Sequence, residues 1–294
     1  MTGPLLAGAA GLGFGVFQTL NRRAVHGMAD AYMATFLQLL VAVVVLSAAS
    51  AATEDLGALG NATTASLWWF AAAGLVHFSV GWTLLNESQI RIGAARTSPL
   101  ISTNPVFGVL IAAAALQEFP QALAWLGILT VTAGALVVSL PRAAREGWGV
   151  QWQDSVWGLG TSLAWAISPI CIKQGLHGLD SPLLGVTLSM VVAVVAYALA
   201  FPLRRSRPKA AVRWDALGFK LAAGVFVALS TWARWLSLDY SAVGVVLALS
   251  LLSVPVVLLL SPALMGRHVE QVGAAIWAGA TLVVVGSLML VVAG

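Results

Sequence analysis

Charged side chains are scarce in this chain of 294 residues, where Asp, Glu, Lys and Arg together account for 9%. A soluble globular domain carries about 25% charged residues, because water has to solvate its surface. Hydrophobic residues account for 60% of the chain instead, and the mean hydropathy is +0.92. The composition therefore excludes a soluble domain and indicates a protein of the lipid bilayer.

Cysteine and histidine are also rare. The single cysteine, Cys171, excludes an internal disulfide. The four histidines are isolated from one another, at positions 26, 77, 177 and 268. They provide neither a metal-ligand cluster nor a nucleophile with an adjacent base. We therefore expect no metal, no cofactor and no enzymatic function.

Ten apolar stretches are long enough to cross a bilayer as helices, which takes about 20 residues. We number them spans 1 to 10 and expect them near residues 5–20, 31–49, 67–86, 97–116, 122–140, 155–172, 182–203, 216–237, 241–264 and 273–293. No basic region precedes the first stretch, so we do not expect a cleaved signal peptide. The sequence predicts an all-α membrane protein.

The second half of the sequence repeats the first half at an offset of 150 to 152 residues. Single residues recur in the same order in both halves: Trp82 and Trp232, Pro105 and Pro255, Glu118 and Glu270, Gly127 and Gly279, and Gly134 and Gly286. We divide the chain into a first repeat at 1–140, a connecting loop at 141–154 and a second repeat at 155–294. Duplication of this kind is common among membrane carriers.

An odd number of spans in each repeat predicts that the two copies insert in opposite orientations, as inverted repeats. The charges agree with this topology. Of the 15 Lys and Arg residues, all but Lys173 and Arg234 lie on the side of loops 1–2, 3–4, 5–6, 7–8 and 9–10. The positive-inside rule makes that side cytoplasmic, so both termini are expected outside. We attribute the basic isoelectric point to these loops and expect no nucleic-acid partner.

The order of features in each repeat resembles the EamA family of the drug/metabolite transporter superfamily. An EamA unit has a proline in its fourth helix, a glutamate before the fifth and two glycines within the fifth. Here these are Pro105, Glu118, Gly127 and Gly134, then Pro255, Glu270, Gly279 and Gly286. Trp165 occupies a position where the family often has Trp, whereas span 1 has Phe14 there. Many relatives keep their termini in the cytoplasm, unlike the orientation predicted here.

The resemblance covers nearly the whole chain and implies a carrier for small metabolites, amino acids among them, working in the plasma membrane. It implies that spans 1, 3, 4, 6, 8 and 9 line a central cavity, with spans 5 and 10 at the periphery. Small multidrug exporters of this superfamily use a membrane-embedded glutamate. All eleven acidic residues of this chain lie in loops or at span ends, so that route of proton coupling is not expected.

The sequence does not name the substrate. It also leaves open an alternative function, as a channel-like or structural membrane protein without a carrier cycle. The partners that we expect are a small-molecule substrate and the lipid bilayer, with the protein as a monomer or homodimer.

Candidate cavity-lining residues are polar or aromatic side chains away from the span ends, since such groups usually face the protein interior. They are Phe14, Gln18, His77, Trp82, Ser98, Ser102, Asn104, Trp165, Trp232 and Trp235. Structural interpretations compete with this one. The tryptophans can serve as interfacial anchors, and the hydroxyls near Pro99 and Pro105 can satisfy a kinked backbone.

Three further residues receive structural interpretations. Arg234 is read as a span-end residue whose side chain snorkels to the interface, and the alternatives are a pair with an anionic substrate or an ion pair with Glu87 or Asp239. Glu118 and Glu270 are read as carboxylates at the N-termini of spans 5 and 10. Where the repeats differ in the middle of a span, as at His77 and its equivalent Val227, we expect substrate selectivity.

Overall fold

The computed structural model describes residues 2–25, 31–145, 152–203, 214–265 and 273–293. Within these residues, ten helical segments are long and apolar enough to cross a membrane, which confirms the predicted all-α membrane fold. Seven spans are continuous helices: span 1 at Thr2–Val25, span 2 at Ala31–Thr53, span 5 at Ala122–Arg145, span 6 at Trp152–Leu176, span 7 at Pro182–Ala200, span 8 at Trp214–Tyr240 and span 10 at Ala274–Ala293.

Two short helical elements lie next to these spans. A four-residue helix, Ala58–Asn61, lies between spans 2 and 3, and a 3₁₀ turn, Phe201–Leu203, extends span 7. Residues 141–145 and 152–154 of the predicted connecting loop are helical, since spans 5 and 6 extend into it. The remaining residues of that loop, 146–151, lie outside the described part.

Spans 4 and 9 are each broken at the same relative position. Span 4 ends one helix at Ile101 and resumes at Asn104–Leu116. Span 9 consists of Val243–Ser250 and Ser253–Met265. Pro105 and Pro255 follow the two breaks, and a proline has no N–H to donate to the carbonyl four residues before it. The repeated prolines therefore account for the repeated breaks.

Span 3 changes its helical geometry half-way. It starts as the α-helix Thr64–Gly74, continues as a π-helical segment at Leu75–Gly81 and enters the helix Trp82–Ile101. The helix Trp82–Ile101 bends sharply between Ser88 and Thr97. The side-chain oxygens of these two residues are 2.8 Å apart, whereas nine residues of straight helix rise about 13.5 Å. The turn connects span 3 to span 4.

The spans of the two halves pack in reciprocal pairs. Span 1 packs against spans 8 and 9, and span 6 packs in the same way against spans 3 and 4. Span 2 packs against span 8 as span 7 packs against span 3. Like spans also meet, in the pairs 2–7, 4–9 and 5–10. Spans 1, 3, 6 and 8 therefore share the centre of the molecule, and spans 5 and 10 form a separate pair.

Glycines bring spans 5 and 10 into backbone contact. A Cβ atom added to Gly134 would lie 2.6 Å from the carbonyl oxygen of Gly279, and one added to Gly286 would lie 2.9 Å from that of Gly127. The earlier glycine of one helix thus meets the later glycine of the other, so these two helices run antiparallel. Small residues permit such close approach in a lipid environment.

Candidate functional site

His77 lies at the middle of span 3, inside the π-helical segment Leu75–Gly81, and is buried. Segments of this geometry recur at functional sites. The Nε2 atom of His77 is 3.1 Å from Nη2 of Arg234 on span 8. Because a guanidinium only donates, Nε2 is the acceptor, which places the proton of a neutral imidazole on Nδ1. That Nδ1 atom is buried and has no hydrogen-bond partner.

Trp165 of span 6 closes one side of His77. Its indole N–H donates to the carbonyl oxygen of His77 at 3.2 Å, and the two rings stack with centroids 5.6 Å apart at 22°. Gly81 leaves the space for this indole, since an added Cβ would lie 2.5 Å from Nε1 of Trp165. One residue of each repeat thus positions the other.

Arg234 is 7% exposed, which contradicts its interpretation as a snorkelling residue. In a helix each Cα–Cβ bond is tilted toward the N-terminus, and for Arg234 that direction leads along span 8 toward its middle. The guanidinium carbon lies 5.3 Å from the ring centre of Phe14 on span 1, a cation–π arrangement. No carboxylate of the described residues forms an ion pair with Arg234.

Further aromatic rings extend the cluster along span 3. Phe78 contacts His77 edge-on with centroids 4.7 Å apart. Trp82, one turn later, meets Phe78 at 5.5 Å and 85° and is half-buried. Phe78 and Trp82 thus form an aromatic wall that continues from His77 along span 3. We call His77, Phe14, Trp165 and Arg234 the central cluster.

The other aromatic and amide candidates lie around this cluster in different settings. Gln18 is exposed and lies one turn from Phe14 on the same face of span 1. Trp232 is half-buried. Trp235 is fully buried and stacks on Phe70 at 5.8 Å, while its indole N–H has no partner.

Three predicted residues of span 4 are engaged in hydrogen bonds beside the helix break. The side chain of Ser98 is 2.9 Å from that of Ser139 on span 5, and Ser102 donates to the carbonyl oxygen of Ser98. Asn104 donates to the carbonyl oxygen of Ser162 on span 6 at 2.8 Å. The structure therefore places these side chains at contacts between spans, apart from the central cluster, and their role in lining a cavity stays a prediction.

Glu118 joins three elements where loops 4–5, 6–7 and 8–9 meet. It forms an ion pair with Lys173 and accepts the backbone N–H of Val243 at 2.9 Å. The carboxylate therefore binds the first residue of span 9, not the N-terminus of span 5 as the sequence suggested. A pocket of about 260 Å³ opens beside it, lined by Leu116, Glu118, Lys173, Leu176, His177, Leu238 and Asp239. Glu270 lies outside the described residues.

Lys220 is a second buried cation on span 8, 1% exposed. It donates to the side-chain oxygens of Asn21 on span 1 and Gln38 on span 2, the latter at 2.7 Å. Sequence reasoning had assigned both Lys220 and Arg234 to the membrane surface. The sequence nevertheless contained a signal. Lys220 and Arg234 are fourteen residues apart, which is about 40° short of four full helical turns, so both cations lie on one face of span 8.

Comparison with known proteins places these observations in a family. The sequence model of the EamA-like transporter family matches residues 1–140. Among curated proteins, none matches the chain. A solved crystal structure of a protein with 17% sequence identity has a TM-score of 0.76, over 99% of this chain and 99% of its own. It shows a shared fold for the full length. The resemblance to the EamA family that the sequence indicated is thereby confirmed over residues 1–140.

Proposed function

We propose that this protein is a carrier that moves a small organic metabolite, an amino acid or a related solute, across the plasma membrane as an exporter or facilitator. The observation that carries the proposal is the central cluster. Phe14 and His77 come from one half of the chain and Trp165 and Arg234 from the other, and they meet at mid-span. Carriers built from inverted repeats bind substrate at this level, between the repeats.

Two observations support inverted repeats as the architecture of this carrier. Five spans per repeat require opposite insertion, and the contacts between the halves are reciprocal. The antiparallel contact of Gly127 with Gly286 and of Gly134 with Gly279 fits a two-fold relation between spans 5 and 10. Rocking of one repeat against the other would then expose the central cluster to each side in turn. Substrate drives this cycle only if it binds the two states differently.

For the orientation we propose that both termini lie outside. Burial removes Lys220 and Arg234 from the surface charges. Of the thirteen remaining Lys and Arg residues, twelve lie in the loops proposed as cytoplasmic, and only Lys173 lies opposite. A reporter enzyme that is active only in the cytoplasm, fused to the C-terminus, should be inactive. We propose further that the protein acts as a monomer or homodimer, without a nucleic-acid partner.

Transport in proteoliposomes tests the proposed function. A thermal-shift screen over amino acids, amines, nucleosides, sugars and carboxylates first identifies a ligand, because a ligand of the folded state raises its apparent stability. Uptake of that ligand should then saturate with concentration and should be stimulated by unlabelled ligand inside the vesicles. Currents that rise linearly with voltage, without this counterflow, would support a channel and remove the carrier.

A further inference from the structure

We propose that the transported solute is an organic anion, a carboxylate attached to an aromatic or apolar group, whose carboxylate binds Arg234 in the central cluster. This inference rests on the proposed carrier function and narrows its substrate class. It starts from a charge that the described part of the chain does not neutralise.

Arg234 is a buried cation that has no counter-ion among the described residues. A charged side chain inside a membrane is costly and is normally paired or functional. Within the described part of the chain, its partners are the neutral imidazole of His77 and the ring face of Phe14. The acidic residues lie in loops or near span ends, and none of those described forms an ion pair with it. The compensating negative charge is therefore expected from the substrate.

Unused hydrogen-bond donors are found on Arg234 itself, on His77 and on the next residue of span 8. Among the described residues, three buried side-chain nitrogen atoms lack a partner: Nδ1 of His77, Nε of Arg234 and Nε1 of Trp235. With His77 in the tautomer argued above, all three are N–H donors, so what they lack is an acceptor. Nε and Nη2 form one edge of a guanidinium, the edge that a carboxylate binds bidentately. A carboxylate there would satisfy Nε and compete with His77 for Nη2.

The residues around Arg234 disfavour substrates that carry an ammonium group and favour substrates that carry an aromatic ring. Lys220, the other buried cation of span 8, lies about 21 Å further along the same face and is also bound by neutral amides. Both residues have apolar equivalents in the first repeat, Phe70 and Leu84. Asp215 and Asp239 are exposed at the two ends of span 8, so the charges buried between them are both positive, which attracts anions and repels amines. The aromatic rings of the central cluster and the aromatic wall next to His77 offer ring faces for an aromatic substituent.

Ligand binding by the purified full-length protein tests the proposal with probes that share a benzyl group. Phenylacetate and phenylpyruvate should raise the thermal unfolding midpoint, whereas phenylacetamide and phenethylamine at the same concentration and ionic strength should leave it unchanged. Arg234→Gln should weaken phenylacetate binding about tenfold or more, since it removes hydrogen bonds between charged groups. Arg234→Lys keeps the positive charge but loses the forked guanidinium. Its affinity for phenylacetate should therefore lie between those of the unaltered protein and of Arg234→Gln.

Equal stabilisation by phenylacetamide and phenylacetate would overturn the proposal from the unaltered protein alone, even if Arg234→Gln does not fold. So would phenylacetate binding that Arg234→Gln leaves unchanged. Counterflow in proteoliposomes distinguishes a failure of the anion proposal from a failure of the carrier proposal. Protein-free vesicles correct for passive leak. Counterflow of an amine or a neutral solute, but of no carboxylate, removes the anion proposal and leaves the carrier. Absence of counterflow for every ligand that binds removes the carrier itself.

Discussion

Gly134 of span 5 and Gly279 of span 10 pack backbone against backbone, so that a Cβ atom added to either would lie within 2.7 Å of the other's carbonyl oxygen. Sequence comparison found these glycines only as markers of a repeat. The structure gives them a physical role, because lipid supplies no hydrophobic force between helices and close packing has to hold them together. The close glycine contacts thereby hold spans 5 and 10 together as a pair.

Gly134→Ala should lower the stability of the folded protein. The new methyl group would meet backbone atoms, which move less readily than a flexible side chain, and overpacking of this kind costs about 1–3 kcal/mol. Thermal unfolding in detergent measures the change. Gly218→Ala on span 8 is the matched control, because an added Cβ there has none of the described residues within 4 Å. If both variants unfold at the same temperature, the glycine contact does not stabilise the protein.

Asn104→Ala should reduce stability as well as transport. From sequence alone we expected this residue to line the cavity, so that its loss would affect transport only. Since Asn104 donates to the carbonyl oxygen of Ser162, the variant also breaks a bond between spans 4 and 6. Such bonds in membranes contribute about 0.6 kcal/mol on average and up to about 1.7 kcal/mol.

The control for Asn104→Ala is Thr130→Ala, because the Thr130 hydroxyl donates within its own helix, to the carbonyl oxygen of Leu126. Unfolding midpoints and transport rates are measured for both variants. Lost transport at unchanged stability would restore the cavity-lining role of Asn104 and would speak against the importance of the bond to Ser162.

Glu118→Gln should loosen the contact between loop 4–5, span 6 and span 9. The amide oxygen of the variant can still accept the N–H of Val243, but the ion pair with Lys173 is lost. The only cysteine, Cys171, is 5% exposed and lies two residues before Lys173, so it reports on this region. We expect faster labelling of Cys171 by a maleimide in the variant.

Glu87→Gln serves as the control for Glu118→Gln. It breaks an exposed ion pair with Arg91 near the end of span 3 that leads into span 4, and it should not alter the labelling of Cys171. A Cys171→Ala background measures labelling of other groups. Identical labelling rates in Glu118→Gln and the unaltered protein would show that the ion pair does not hold this side closed.

Local sequence patterns predicted the spans, because a run of about 20 apolar residues has few alternatives to crossing the bilayer. They also indicated a kink in span 4, since Pro105 acts on its own backbone, but not the matching break before Pro255 in span 9. The destinations of Lys220 and Arg234 depend instead on which spans pack against span 8. That packing joins residues about 150 positions apart, such as His77 and Arg234. The π-helical segment Leu75–Gly81 likewise has no local signal that we recognised.

Lys220 and its partner Gln38 allow a test of whether a buried cation is kept for stability or for function. Lys220→Met removes a charge that has no described counter-ion, and replacing buried ions by apolar side chains of similar volume is often neutral or stabilising. The amides of Asn21 and Gln38 can then bond to each other, as each both donates and accepts. Gln38→Leu does the opposite, because it leaves the ammonium with one of its two acceptors.

We therefore expect Gln38→Leu to lower the unfolding midpoint more than Lys220→Met, and the double variant to recover part of the loss. A larger loss for Lys220→Met would instead assign the lysine to structure, as the link between spans 1, 2 and 8. If Lys220→Met is as stable as the unaltered protein but transports more slowly, the lysine is needed for transport and not for folding. A positive charge near one end of span 8 would then serve the solute on its way to or from Arg234.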